Sequence, residues 1–243
     1  MKPIALQLYT LRTLDDSFSD ILDKVKKAGY SGVELTGPSG MKAAQLKALL
    51  DDKGLKATSC HVNIAMLENA LDYILPYHQE LGNDTLIVPF LAESERDWPK
   101  LAERLNAIYD NVKPHGFKLM YHNHDFEMAD VEGRTALDVV RENTNPEIGF
   151  ELDAAWIHIG GQDVVDFLER YSGRVSRLHA KDARKTREVE GGLADVGSGV
   201  LEWQKIIPAA KEAGVEWFVV EHDFPTNPIE SITNSAKFLN EHL

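Results

Sequence analysis

The sequence predicts an α/β protein, a single-domain (β/α)8 TIM barrel spanning 1–243, and three observations point there. Strand-like and helix-like segments alternate eight times along the 243 residues. Such alternation calls for parallel strands joined by crossover helices, and eight units in roughly 250 residues match a closed barrel. Several helices stop at the same punctuation, an Ala-Gly or Lys-Gly pair such as Ala28-Gly29, Lys53-Gly54 and Ala213-Gly214, just before the next strand. The rival fold, an open doubly wound sheet, usually carries a glycine-rich phosphate turn after its first strand. Here that stretch reads "YTLRTLDD", with no glycine.

Each element follows in order. "IALQLY" reads as the first strand. From Ser17 to Ala28, Phe18, Ile21, Leu22 and Val25 share one helical face. "SGVEL" is strand two, "MKAAQLKALLDDKG" the next helix and "LKATSCHV" strand three. "AMLENALDYILPYHQELG" is helical, with Pro76 expected to kink or split it. "DTLIVPF" is strand four, followed by a helix ending near Pro114. "FKLMYH", "EIGFELD", "RVSRLHAKD" and "EWFVVEHD" are strands five to eight. "RTALDVVREN", "DVVDFLERYSG", "LEWQKIIPAAKEAG" and "PIESITNSAKFLNEHL" are the helices after them.

The bulk composition narrows the function. Hydrophobic residues at 43% are enough for a large core, and the formal net charge of −13 repels phosphate backbones and anionic lipid, so neither nucleic acid nor membrane is an expected partner. The lone cysteine, Cys60, allows no internal disulfide and reads as a small packed side chain. The first residues lack the long apolar stretch of a signal peptide, and no run approaches the ~18 apolar residues of a membrane span. A cytoplasmic location is therefore expected.

In a barrel of this kind, chemistry sits at the C-terminal ends of the strands. Strand two ends at Glu34, three at His61, and five at His122 and His124. Strand six ends at Asp153, seven at His179, Lys181 and Asp182, and eight at Glu221, His222 and Asp223. Period-two alternation puts Glu151 with Asp153, His179 with Lys181, and His122 with His124 on common faces. One His or carboxylate from each of strands five to eight can surround a single cation. Mixed nitrogen and oxygen donors suit Mn2+, Zn2+, Co2+ or Fe2+ better than Ca2+. Blander roles fit other residues. Glu34 can pair with Arg12, His78 and His115 read as helix-surface residues, and His158 as structural. The "GSG" at 197–199 reads as a tight turn into a helix in preference to an anion site.

At "LQLYTLR", "YHNHDFE", "ELDAAW", "GRVSRLHAKD", "VGSGVLEW" and "GVEWFVVEHD" the chain resembles the xylose-isomerase-like barrels. Within them it is most similar to the sugar phosphate isomerase/epimerase group of ketose 3-epimerases and inosose dehydratase. The resemblance implies one divalent metal ion (Mn2+, Zn2+, Co2+ or Mg2+) held by Asp153, His179, Glu221 and a fourth residue. The family's strand-five Glu falls at His122, and Glu127 lies five residues later, so either supplies the fourth contact. The same resemblance implies a carbohydrate or polyol substrate and a homodimer. Epimerisation or isomerisation through an enediolate is the first expectation, with dehydration of an inosose or 3-keto sugar next and a non-catalytic sugar-binding barrel last. Glu221 is the expected base, with Glu127 or His122 opposite. Glu34, His61, His124, Trp156 and Lys181 are expected to contact substrate, Trp156 by stacking on a sugar face.

Overall fold

A computed structural model describes residues 3–37 and 40–243. Eight parallel strands close into a barrel. In chain order they are Ile4–Gln7, Gly32–Thr36, Lys56–His61, Thr85–Val88, Lys118–His122, Gly149–Asp153, Val175–Ala180 and Trp217–Val220. Each pairs with its sequence neighbours, and the first closes on the eighth through Ile4–Phe218 and Ala5–Val219. The (β/α)8 expectation therefore holds.

Helices surround the sheet, and their ends follow local chemistry. Ser17 caps Phe18–Ala28 by accepting from the Asp20 amide, and Gly29 closes the same helix at φ 103°, a conformation a side chain would strain. Three elements depart from the expected pattern. The long helix after strand three is two helices, Ile64–Asn69 and Leu71–Leu81, and the break falls at Ala70 rather than at Pro76. Pro76 lies in the second turn of the later helix. A six-residue helix, Ala154–Ile159, follows strand six directly, too short to show a periodicity. Finally, the segment from Asp182 to Ala194 pairs its ends as a short antiparallel ribbon, Asp182–Ala183 with Leu193–Ala194.

Alternation along the strands separates two environments. Ile4, Leu6, Val33, Leu35, Leu86, Val88, Leu119, Tyr121, Phe150, Leu152, Leu178, Phe218 and Val220 belong to one apolar cluster with the helices. Their strand neighbours Gln7, Glu34, Ser59, His61, His122, Glu151, Arg177 and His179 are also buried, but they are polar. The hydrophobic core is thus the layer between sheet and helices, worth roughly 1.5–3 kcal/mol per large side chain. The barrel lumen is a hydrogen-bonded polar column. His78, expected on the surface, is buried instead. The Asn83 amide donates to its Nδ1 at 3.1 Å, and burial pulls its pKa down to about 4.

Candidate active site

The polar column begins with Glu34 on strand two. A register shift between Val33 and Glu34 skips Thr58 and sets Ser59 beside Glu34, while Gln7 flanks it from strand one. Gln7 Nε2 donates to Glu34 Oε1 at 2.7 Å and Ser59 Oγ to Oε2 at 2.5 Å. Oε1 also meets Nε2 of His61 at 2.9 Å and of His179 at 2.8 Å. The expected Glu34–Arg12 pair does not form, because Arg12 donates to the carbonyls of Tyr9 and Asp223. Glu34 is fully buried, with both carboxylate oxygens held by neighbouring side chains.

Glu151 enters the same column, and a second register shift, which skips Ser176 in strand seven, sets Arg177 beside it. Its Oε2 lies 2.8 Å from His61 Nε2, 3.0 Å from His179 Nε2 and 3.4 Å from His122 Nδ1. Burial alone would raise Glu34, but His61 and His179 hold its carboxyl well below the usual range. Burial works against charge on His61 as well, yet Glu34 and Glu151 raise it to about 9.

Above this layer lies the group the sequence singled out. Donor atoms of His122, Asp153, His179 and Glu221 all lie within 4.8 Å of one another, and all four residues are buried. His179 Nδ1 is 3.2 Å from Glu221 Oε2 and 3.7 Å from Asp153 Oδ2, and His122 Nε2 is 4.0 Å from Asp153 Oδ2. Asp153 is aimed from below and above: its amide donates to Asn123, and its Oδ1 caps the short helix by accepting from the Trp156 amide at 2.9 Å. His179 Nδ1, the atom that faces Asp153 and Glu221, makes no hydrogen bond among the described residues, and Asp153 Oδ2 has only the Lys181 ammonium at 3.1 Å. Buried polar atoms without partners are rare in folded proteins. Imidazole and carboxylate donors left free at this spacing fit a divalent transition-type ion. Burial, then the charge of His179, keeps His122 neutral, the form a metal requires.

Lys181 completes the mouth. It is 1% exposed, and its Nζ sits 2.5 Å from Glu221 Oε2, 2.8 Å from Asp223 Oδ2 and 3.1 Å from Asp153 Oδ2. Burial opposes its charge, but these carboxylates hold its pKa well above the ordinary value. Burial likewise opposes Glu221's charge, and Lys181 and His179 overcome it. Trp156 and His124 form a wall, their rings 5.9 Å apart, and Lys181 Nζ lies 5.5 Å from the Trp156 ring. His222 faces elsewhere, its Nδ1 accepting from the Phe224 amide.

The structure brings His122, not Glu127, to the ion-type group. Glu127 is buried beside strand five, where its oxygens accept from Tyr121 Oη at 2.5 Å and from the His124 amide at 2.8 Å. It fixes the turn that carries His124, and burial raises its pKa to about 7. Gln7, Ser59 and Glu151 carried readable signals, polar residues interrupting apolar strands. What escaped the sequence reading was the depth at which they act.

The anion role considered for "GSG" is also resolved. The amides of Gly197, Gly199 and Leu201 all donate to the carboxylate of Asp182, as does Trp203 Nε1. A Cβ at Gly199 would lie 2.2 Å from Asp182 Oδ1, so this loop requires glycine there. The nest is filled by the protein's own anion. His158 is exposed on its short helix, and His115 is exposed as expected.

A closed parallel barrel with an inward set of one Asp, one Glu and two His at the strand ends defines a class, the α/β barrels whose strand ends carry a buried group of side chains that could hold a metal ion. Residues 22–242 match the model of the xylose isomerase-like TIM barrel. The chain belongs to that family. It is 27% identical over 268 residues to the inosose dehydratase of Geobacillus thermodenitrificans, covering 93% of this chain and 89% of that one. To the inosose dehydratase of Lacticaseibacillus casei it is 22% identical over 267 residues, covering 92% and 89%. The crystal structure of a sugar phosphate isomerase/epimerase from Parabacteroides distasonis superposes with a TM-score of 0.84 at 26% identity, over 98% of this chain and 94% of that chain.

Proposed function

We propose that the protein is a divalent-metal-dependent lyase that removes water from a polyhydroxylated ketone of the inosose or keto-sugar class. The observation that carries this is the convergence of His122, Asp153, His179 and Glu221, with His179 Nδ1 buried and without a hydrogen bond beside Glu221 and with Lys181 against the two carboxylates. The relatives' dehydratase names support the reaction class.

His122, Asp153, His179 and Glu221 would hold the ion, which when bound polarises a substrate carbonyl and acidifies the adjacent C–H. Glu221 is the base for that proton. As the enolate collapses, a carbon–carbon double bond forms and the β carbon–oxygen bond breaks. Lys181 protonates the departing hydroxyl, which leaves as water. Glu221 and Lys181, 2.5 Å apart, then exchange the proton directly, so each turnover resets both groups. The Trp156 and His124 rings offer an apolar face to the sugar ring.

Epimerisation needs a second base on the opposite face of the carbon, and His122 stands where the family places a carboxylate. That favours elimination. Isomerisation stays as the second reading because the Parabacteroides protein bears that name. The test incubates metal-loaded protein with inososes and 3-keto sugars in D2O, following α-deuteration by NMR and enone formation by ultraviolet absorption. Metal-dependent enone is the expected result, lost in His179→Ala. Deuteration with an epimeric product and no enone would establish the second reading. No exchange with any ketone sinks both.

A further inference from the structure

We infer that Glu34 is a positioning residue that fixes the tautomer of His179 and so creates the nitrogen that faces the ion. This rests on the metal reading above and extends it to a residue outside the ion's contacts. Neutral imidazole carries one proton, and a ring nitrogen that holds it cannot bind a cation. His179 Nε2 lies 2.8 Å from Glu34 Oε1, with Glu151 Oε2 a second acceptor at 3.0 Å. Both nitrogens face carboxylates, but those at Nε2 are the closer, so when an ion takes Nδ1 the one proton the ring keeps sits on Nε2. Nδ1 is then left with its lone pair, and Nδ1 is the atom that faces Glu221 Oε2 at 3.2 Å and Asp153 Oδ2 at 3.7 Å and that makes no hydrogen bond.

Glu34 itself is held on both sides. Gln7 fixes Oε1 at 2.7 Å and Ser59 fixes Oε2 at 2.5 Å, through the register of strands one to three. His61, stacked on His179 with centroids 5.3 Å apart, limits rotation of that ring. A carboxylate behind a metal-binding histidine sets its orientation and basicity, and losing such a partner typically weakens metal binding 10–100-fold.

The test titrates full-length protein with Co2+, reading visible d–d absorption, and records the histidine 15N–1H spectrum of the Zn2+ form. Wild type is expected to bind one equivalent and show a strongly hydrogen-bonded His179 Nε2–H. Glu34→Gln keeps the shape and removes the charge. It is expected to weaken Co2+ binding about 10–100-fold, change the d–d band and move the Nε2–H signal upfield. Ser59→Ala, which leaves the carboxylate in place, is expected to shift each readout in the same direction by less. Unchanged affinity and an unchanged Nε2–H signal in both variants overturn the inference while the metal reading stands. Wild-type protein that takes up no Co2+ overturns the metal reading and the inference with it.

Discussion

Glu127 shows how a single residue can carry the right chemistry into the wrong role. Its carboxyl is buried against strand five with a pKa raised by burial to about 7. In the unfolded chain it ionises near ~4.3. Its folded value is the higher one, so its contribution is complete below the unfolded value and is lost as pH rises through about 7. Glu127→Gln is therefore expected to leave stability unchanged at pH 4 and to raise it by about 3–4 kcal/mol at pH 8. Denaturant melts at the two pH values check this; equal effects at both would show that the carboxyl stays charged in the fold. At this scale the sequence was most informative where alternation could be applied. Asp153, His179, Glu221 and Lys181 were all legible as inward strand-end residues, and they converge. His122 and Glu127 were not separable, because which of two nearby residues turns inward depends on the loop, and loops lack a period.

The elements were legible where their ends carry glycine or a capping side chain, and less so where short range chemistry is silent. Gly29, Gly54, Gly82 and Gly214 all close helices in the left-handed conformation. The helix Ala154–Ile159 gave no comparable warning, since its cap is Asp153, a residue already read as a ligand. Its Oδ1 makes the cap, and Oδ2 is the oxygen left for the proposed ion. The loop from Gly197 to Leu201 makes the complementary point. Its fold depends on Asp182, which accepts from the amides of Ala183, Gly197, Gly199 and Leu201 and from Trp203 Nε1. Asp182→Ala would orphan these donors in a buried place and is expected to cost at least about 3 kcal/mol. A fall in the denaturation midpoint of that size measures it. A loss under about 1 kcal/mol would mean the loop refolds onto other acceptors.

Across the whole molecule, eight alternating units foretold the closed barrel because each strand and each helix agrees with it locally. The two polar layers inside were less accessible to sequence reading. Alternation put Glu151 on the face of Asp153, but which side chains of the neighbouring strands meet Glu34 and Glu151 follows irregularities in strands three and seven that no alternation rule anticipates. No helix among the described residues is long and apolar enough to cross a membrane. An ion bound only by the folded chain adds RT ln(1 + [L]/Kd), about 2.7 kcal/mol at a hundredfold excess over Kd. Chelation is thus expected to lower the melting temperature by about 5–10 °C, followed by differential scanning fluorimetry, with full recovery on adding metal back. An unchanged melting temperature would argue against a bound ion.

The ammonium of Lys181 has a further consequence for how the protein matures. Wedged among Asp153, Glu221 and Asp223, it neutralises part of their mutual repulsion from within. A chain with such an internal counterion is expected to complete its tertiary structure without the proposed ion, and to take the ion up afterwards as the ammonium withdraws.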